Sequence, residues 1–177
     1  QEITLPTTPI QHIDGEGEIA LCILSAINVG KINRRDELQP LCDLAVRALD
    51  EIIDHQKYPI DAAEKSTKAR RSLGIGYIGL AHYLAKKGYK YDQKLAWRQV
   101  DKLTEAFQYY LLHASLDLAK EKGPCSAFKQ TKYADGILPI DTYKKDVDEL
   151  VKRELTYDWE HLRKEIKEHG LRHSTLS

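Results

Sequence analysis

The run Ile19-Ala20-Leu21-Cys22-Ile23-Leu24 is six apolar residues without a break. A short, continuously apolar run rich in strand formers is how a strand covered on both faces reads. It predicts a buried strand with Cys22 inside it. Upstream, Asp14-Gly15-Glu16-Gly17 reads as a turn, and Glu2 to Leu5 alternates polar with apolar before Pro6 and Pro9 remove backbone donors. A first short strand should therefore leave its sheet at Pro6.

Downstream the period changes from two to 3.6. From Leu41 to about His55 the residues Leu44, Ala45, Ala48, Leu49, Ile52 and Ile53 recur at helical spacing, after start signals from Asp36 and Pro40. Asp61 is placed to cap a polar helix over 62–70, and Leu80 to Ala85 forms another that Gly88 can end. Ala96, Val100, Leu103, Phe107, Tyr110, Leu111, Ala114 and Leu118 then hold one stripe, and Gly123-Pro124 stops the helix. Asp141 can cap a helix carrying Val147, Leu150 and Val151, and Asp158 one carrying Trp159, Leu162 and Ile166 that ends at Gly170. A single helix-rich α/β unit follows.

The 177 residues carry 27 Lys+Arg and 27 Asp+Glu, interleaved along the chain. That balance offers none of the positive field needed for non-specific binding to nucleic acid or an anionic membrane. The apolar run to Val29 is broken by Ser25 and Asn28, short of the roughly 20 residues of a membrane span. With no secretory signal visible, a cytoplasmic home is expected. The chain has no methionine and opens on Gln1 as if in mid-strand, so it reads as a piece of a longer protein.

Gly74-Ile75-Gly76-Tyr77-Ile78-Gly79 has the G-x-G-x-x-G spacing of a pyrophosphate loop. The preceding Lys68-Ala69-Arg70-Arg71-Ser72 is no buried strand, and no strand ending in an acid follows, so close backbone packing is the expected use of these glycines. His169 and His173 have the i, i+4 spacing of paired metal ligands, but Gly170 should end the helix between them, and no metal site is expected. His82 and His113 border apolar stripes, and His161 and the run Arg163 to Glu168 read as a solvated face. Cys42 and Cys125 read as small buried hydrophobes. Cys22 is either a packed thiol or part of a site at the strand end, and Glu2 passes as a solvated strand residue.

Five strings add a resemblance. Glu18-Ile19-Ala20-Leu21-Cys22, Leu44-Ala45-Val46-Arg47-Ala48-Leu49-Asp50, Arg70-Arg71-Ser72-Leu73-Gly74-Ile75-Gly76, Ile137-Leu138-Pro139-Ile140-Asp141-Thr142-Tyr143-Lys144-Lys145 and His169-Gly170-Leu171-Arg172-His173-Ser174-Thr175-Leu176-Ser177 span the chain in order. They resemble the large subunit of class I ribonucleotide reductase, in its enterobacterial and T-even-phage branch. The resemblance implies an α/β fold, the helix-rich middle portion of a ten-stranded α/β barrel that is incomplete on its own. It makes residues 1–177 the central part of the catalytic barrel domain, beginning inside the catalytic finger loop and ending just before a phosphate-binding loop. An intein, an intron or a split gene would account for such ends.

The family's finger loop carries Asn-x-Cys-x-Glu, and Gln1-Glu2 resembles its last two positions, with the radical cysteine just before Gln1. The resemblance implies that Glu2 exchanges a proton with the ribose 3′-hydroxyl. It implies that Cys22 is one of two cysteines that reduce the 2′ position and end as a disulfide, the other lying elsewhere in the large subunit. Leu24 resembles a residue that packs beside the bound substrate. The implied reaction turns ribonucleoside diphosphates into 2′-deoxyribonucleoside diphosphates for DNA synthesis. The implied partners are the rest of the large subunit, a small radical-generating subunit with a metal/tyrosyl radical, and thioredoxin or glutaredoxin. ATP and dNTP effectors would bind outside this segment, no cofactor is expected on it, and no direct contact with DNA or membrane is implied. A free-standing helical interaction module without catalysis and a nucleotide-binding protein using Gly74 to Gly79 are the competing readings.

Overall fold

The computed structural model describes residues 17–150 and 154–176. Two strands, β1 (Ile23–Asn28) and β2 (Leu73–Ile78), pair in parallel with Ile23 beside Leu73 and Asn28 beside Ile78. Parallel neighbours need a crossover, and α1 (Leu38–His55) and α2 (Asp61–Arg70) supply it. After β2 come α3 (Leu80–Lys86), the 29-residue α4 (Lys94–Lys122) and α5 (Trp159–His169). The last described residues return to β2: Leu73 N–H donates to Thr175 O (2.9 Å), and Leu176 bridges Leu73 in parallel. The order across the sheet is therefore β1, β2, then the 174–176 segment.

Helix α1 packs on the sheet and on α4, and α5 packs on α4. Leu38, Cys42, Val46, Leu49 and Ile53 form the inward stripe of α1 and meet Phe107, Leu111, Ala114 and Leu118 of α4 in one core with Leu73 and Ile75. Trp159, Leu162 and Ile166 close that core from α5. The Asp158 carboxylate caps α5 by accepting from His161 N–H (2.9 Å), and Gly170 at φ +79° ends it. Ahead of this cap, Glu105 of α4 accepts from Thr156 N–H (2.7 Å) and from the Trp159 indole (3.1 Å), which ties the incoming chain to α4.

Five expectations are corrected. The first strand starts at Ile23 rather than Ile19, because Ile19 N–H is spent on Ala62 O of α2 and the ladder begins only where Ile23 N–H meets Ser72 O. Cys22 thus precedes the strand instead of lying within it. The strand is not covered on both faces, for Leu24 is 71% exposed. On α1 the expected stripe is rotated: Leu49 and Ile53 are buried, while Leu44 (63% exposed) and Ile52 lie on a second apolar face. Asp61 begins α2 but gives no side-chain cap. The helix expected after Asp141 is absent among the described residues, replaced by 3-10 turns at Pro139–Asp141 and Lys145–Glu149. The Asp141 carboxylate is already committed there, accepting from Leu138 N–H (2.7 Å) and from Arg163 (2.7 Å), and Val147 and Leu150 are exposed. The strand at Glu2–Leu5 and most of the turn at 14–17 lie outside the described residues.

Candidate functional site

Alternation along the strands gives the sheet two unlike faces. Ile23, Ile27, Leu73, Ile75 and Tyr77 turn toward the helices. The opposite face carries Leu24, Ala26 and Asn28 beside Gly74, Gly76 and Ile78, and the register sets Leu24 against Gly74 and Ala26 against Gly76. Gly74 is buried on this face and Gly76 is exposed, so the face is low and open from Gly76 onward, with Leu24 exposed on the neighbouring strand. A Cβ added at Gly76 would meet nothing within 4 Å. The glycine-rich string is therefore a strand whose outer face is open at Gly76 among the described residues, and the string does not form a phosphate loop. The expected close packing occurs at Gly79, whose φ of +78° turns the chain into α3 with Asn28 and Gly30 against its backbone.

Cys22 has the same parity as Leu24 and lies at the amino end of this open face. It is a free, half-buried thiol whose pKa burial raises. The neighbouring chain is polar: the Ser72 hydroxyl is 3.3 Å from the Ser174 hydroxyl, and Arg70 donates to the Glu18 carboxylate (2.9 Å). Arg70, Thr131, Lys132, Thr142, Ser174 and Thr175 share the wall of a cavity of about 490 Å³ beside this end of the sheet. Cys42 and Cys125 are buried, with burial pushing their thiols up to about 12 and about 11. Cys22 thus lies just before the strand that carries the exposed Leu24, and Glu2 lies outside the described residues.

A group the sequence did not single out supports this end of the sheet. Asp50 of α1 is fully buried and accepts from Arg71 Nε (2.7 Å), Arg172 Nε (3.2 Å) and His173 Nε2 (3.2 Å). Burial pushes the Asp50 carboxyl up, but hydrogen bonds from His173 and Arg71 outweigh it and hold the group well below the usual carboxylate range. Arg71 also grips Asp54 with two bonds (2.8 and 2.9 Å), from a left-handed backbone at φ +50°. Burial lowers His173, so its ring is neutral: Nε2–H donates to Asp50, and Nδ1 accepts from the Ser115 hydroxyl (2.8 Å). These contacts fasten 172–174 next to β2. Three of the five strings quoted above each supply a member, yet no single string reveals a pairing between residues up to 123 positions apart.

His169 and His173 do not share a helix face, since α5 ends at His169 and His173 is in the buried cluster. Glu165, Glu168 and His169 offer ligand atoms within 4.8 Å of one another, but Glu165 is held by Lys120 (2.6 Å) and two of the three residues are exposed. Arg163, expected in water, instead tethers α5 to the Asp141 carboxylate and also pairs with Glu160 of its own helix.

Comparison with known sequences agrees with the strings. The family described as ribonucleotide reductase, barrel domain, matches residues 1–177. The chain is similar to the ribonucleoside-diphosphate reductase subunit alpha of Haemophilus influenzae, 60% identical over 177 residues, which are 99% of this chain and 23% of that protein. The ribonucleoside-diphosphate reductase 1 subunit alpha of Escherichia coli is 58% identical over 125 residues, 71% of this chain and 16% of that protein. The ribonucleoside-diphosphate reductase subunit alpha of Enterobacteria phage T4 is 40% identical over 178 residues, 99% of this chain and 23% of that protein. The chain spans about a quarter of the length of these relatives or less.

Proposed function

The chain belongs to the ribonucleotide reductase barrel-domain family, and from that premise we propose that it forms part of the catalytic barrel of a ribonucleoside-diphosphate reductase large subunit. The observation that carries the reading is the position of Cys22 immediately before β1, two residues from Leu24, which is exposed on the outer face of the sheet. The exposed Gly76 keeps the face low there, with room for a ribose. Leu24, standing free above it, offers an apolar surface to the sugar.

On this reading Cys22 is one of two thiols that reduce the 2′ carbon. The ribose 2′-hydroxyl leaves as water, the two thiols give up two electrons and two protons, and they end as a disulfide. Glu2 takes and returns the 3′-hydroxyl proton, a task suited to a positioned carboxylate. The radical arises on a small subunit with a metal/tyrosyl centre, thioredoxin or glutaredoxin resets the disulfide, and ATP and dNTP effectors bind elsewhere in the large subunit. The enzyme works in the cytoplasm; no helix among the described residues is long and apolar enough to cross a membrane.

The test is three single changes, Cys22→Ser, Cys42→Ser and Cys125→Ser, in the complete enzyme with its small subunit. Thioredoxin-dependent turnover should disappear for the first and persist for the other two, where a buried hydroxyl costs only stability. Normal turnover by Cys22→Ser, with loss in either other variant, would remove Cys22 from the reaction.

A further inference from the structure

The carboxyl ends of β1 and β2 open into a second cavity, of about 450 Å³. It begins at Val29, the residue after β1, and α3, which follows β2, forms one wall. The six residues of β1 separate it from Cys22, about 20 Å at the rise of a strand. Crevices beyond the carboxyl ends of parallel strands are where open α/β sheets take ligands.

Its lining is lopsided for a chain of 27 cationic and 27 acidic residues. Arg34, Arg35, Lys86, Lys87 and Lys102 face the cavity, and no carboxylate is among the lining residues. Asp36 neutralises Arg34 from outside. Lys86, Lys87 and Arg35 have softer partners. Lys86 Nζ donates to Asn33 Oδ1 (2.8 Å) and to the carbonyl oxygens of Gly30 (3.3 Å) and Ile32 (3.4 Å), contacts that orient the ammonium without cancelling its charge. Lys87 lies 5.1 Å from the centre of the Tyr83 ring, and Arg35 is steadied by the Tyr157 hydroxyl (3.3 Å). The floor is apolar, built from Leu38, Leu103 and Ala106, all buried.

A ring of cations over an apolar floor suits a molecule with a charged head and a carbon body, and the volume is that of a small-molecule site. We propose that this cavity binds a phosphorylated small molecule, its phosphate between Lys86, Lys87 and Lys102 and its apolar part on the Leu38–Leu103–Ala106 floor. The site is distinct from the Cys22 face and does not depend on the function assigned there.

Phenyl phosphate is the probe, titrated calorimetrically into the protein beside inorganic phosphate, phenol and a short polyglutamate peptide. Phenyl phosphate should bind more tightly than inorganic phosphate, phenol should give no signal, and binding should weaken as salt rises from about 0.05 to 0.2 M, since the rim charges are screened over roughly 10 Å. Lys86→Gln should weaken binding about tenfold, the loss of one cation beside the phosphate. Because Lys86 also holds the Gly30 and Ile32 carbonyls, the exposed Lys87→Gln and Lys102→Gln are made in parallel, and their double variant should lose at least as much with an unchanged melting temperature. Lys129→Gln, remote from the cavity, is the control. The proposal falls if phenyl phosphate gives no binding up to about 1 mM, if the Lys87/Lys102 double variant binds like the parent, or if Lys129→Gln weakens binding equally. It falls also if only the polyglutamate peptide binds, which would make the cavity a seat for an acidic segment.

Discussion

Replacing Asp50 by Asn removes one negative charge from the centre of the buried cluster and keeps the side chain's size. The carboxylate it replaces accepts from Arg71, Arg172 and His173 and lies 3.5 Å from Lys122. An amide has one acceptor oxygen, and its NH₂ would face cationic donors that can offer it nothing. Removing one partner of a buried ion pair costs about 3–5 kcal/mol. Arg71 keeps both bonds to Asp54, so the lower end, about 3 kcal/mol, is expected. For a chain of this size that is a fall of about 6–12 °C in melting temperature at pH 7. Asp146→Asn is the internal comparison, since its pair with Lys144 is exposed on both sides, and it should change stability by less than about 1 kcal/mol. The assay is thermal and urea unfolding of both variants beside the parent. A loss below about 1 kcal/mol for Asp50→Asn would mean that the cluster is solvated and does not hold 172–174 in place.

Acid should act on the same cluster. His173 titrates below its ordinary value in the fold, so the unfolded chain takes up a proton first, near pH 6.5, and stability falls as pH drops below that point at up to about 1.4 kcal/mol per pH unit; His173→Gln, which keeps a donor toward Asp50, should flatten this slope. Asp50 works in the same direction at lower pH, its contribution being present above about 3.9 and lost as pH falls toward its depressed folded value. A thiol reagent at mildly alkaline pH should label Cys22 before Cys42 and Cys125, whose raised pKa values and burial keep them as thiols; equal rates would place Cys22 in the core. Gly76→Ala should be neutral or stabilising by up to about 1 kcal/mol, since its Cβ points into open space, yet should lower turnover in the complete enzyme by filling the bare face. Gly79→Ala should instead destabilise by about 1–3 kcal/mol, because its φ is positive and the new Cβ would lie 2.5 Å from Asn28 Oδ1; equal melting temperatures for the two would refute the distinction.

What was legible in the sequence was local. The stripe of α4 and its Gly123 stop, the Asp158 cap and the Gly170 stop of α5, and the burial of Cys42 and Cys125 follow from spacing and end signals, and the structure has them. The failures are all places where a distant partner decides. Residues 19–22 have strand composition, but the ladder waits for Ser72, and Ile19 is taken by α2. Asp141 has the makings of a cap, but Arg163 and Leu138 hold its carboxylate. Helix α1 has two apolar faces, and only the position of α4 selects the one carrying Val46 and Cys42. The strand β2 was hidden by its own glycines, which suggest a loop until a parallel neighbour pairs with them.

The same glycines explain why the candidate site needed both readings. A strand that must keep one face bare cannot also announce itself by side-chain alternation, because the positions that would alternate are the ones left empty. Leu73, Ile75 and Tyr77 fill the core side, while Gly76 leaves the other open, next to a strand on which Leu24 is exposed. Its 71% exposure would be a defect in a sheet covered by its own chain. Close to a free half-buried thiol and to a sheet end held by the buried Asp50–Arg71–His173 cluster, it is, on the function proposed above, the exposure that a substrate would cover. Bareness at Gly76 and rigidity at Asp50 are thus two requirements of one site. They predict opposite signatures on substitution: activity without stability at the first, stability before activity at the second.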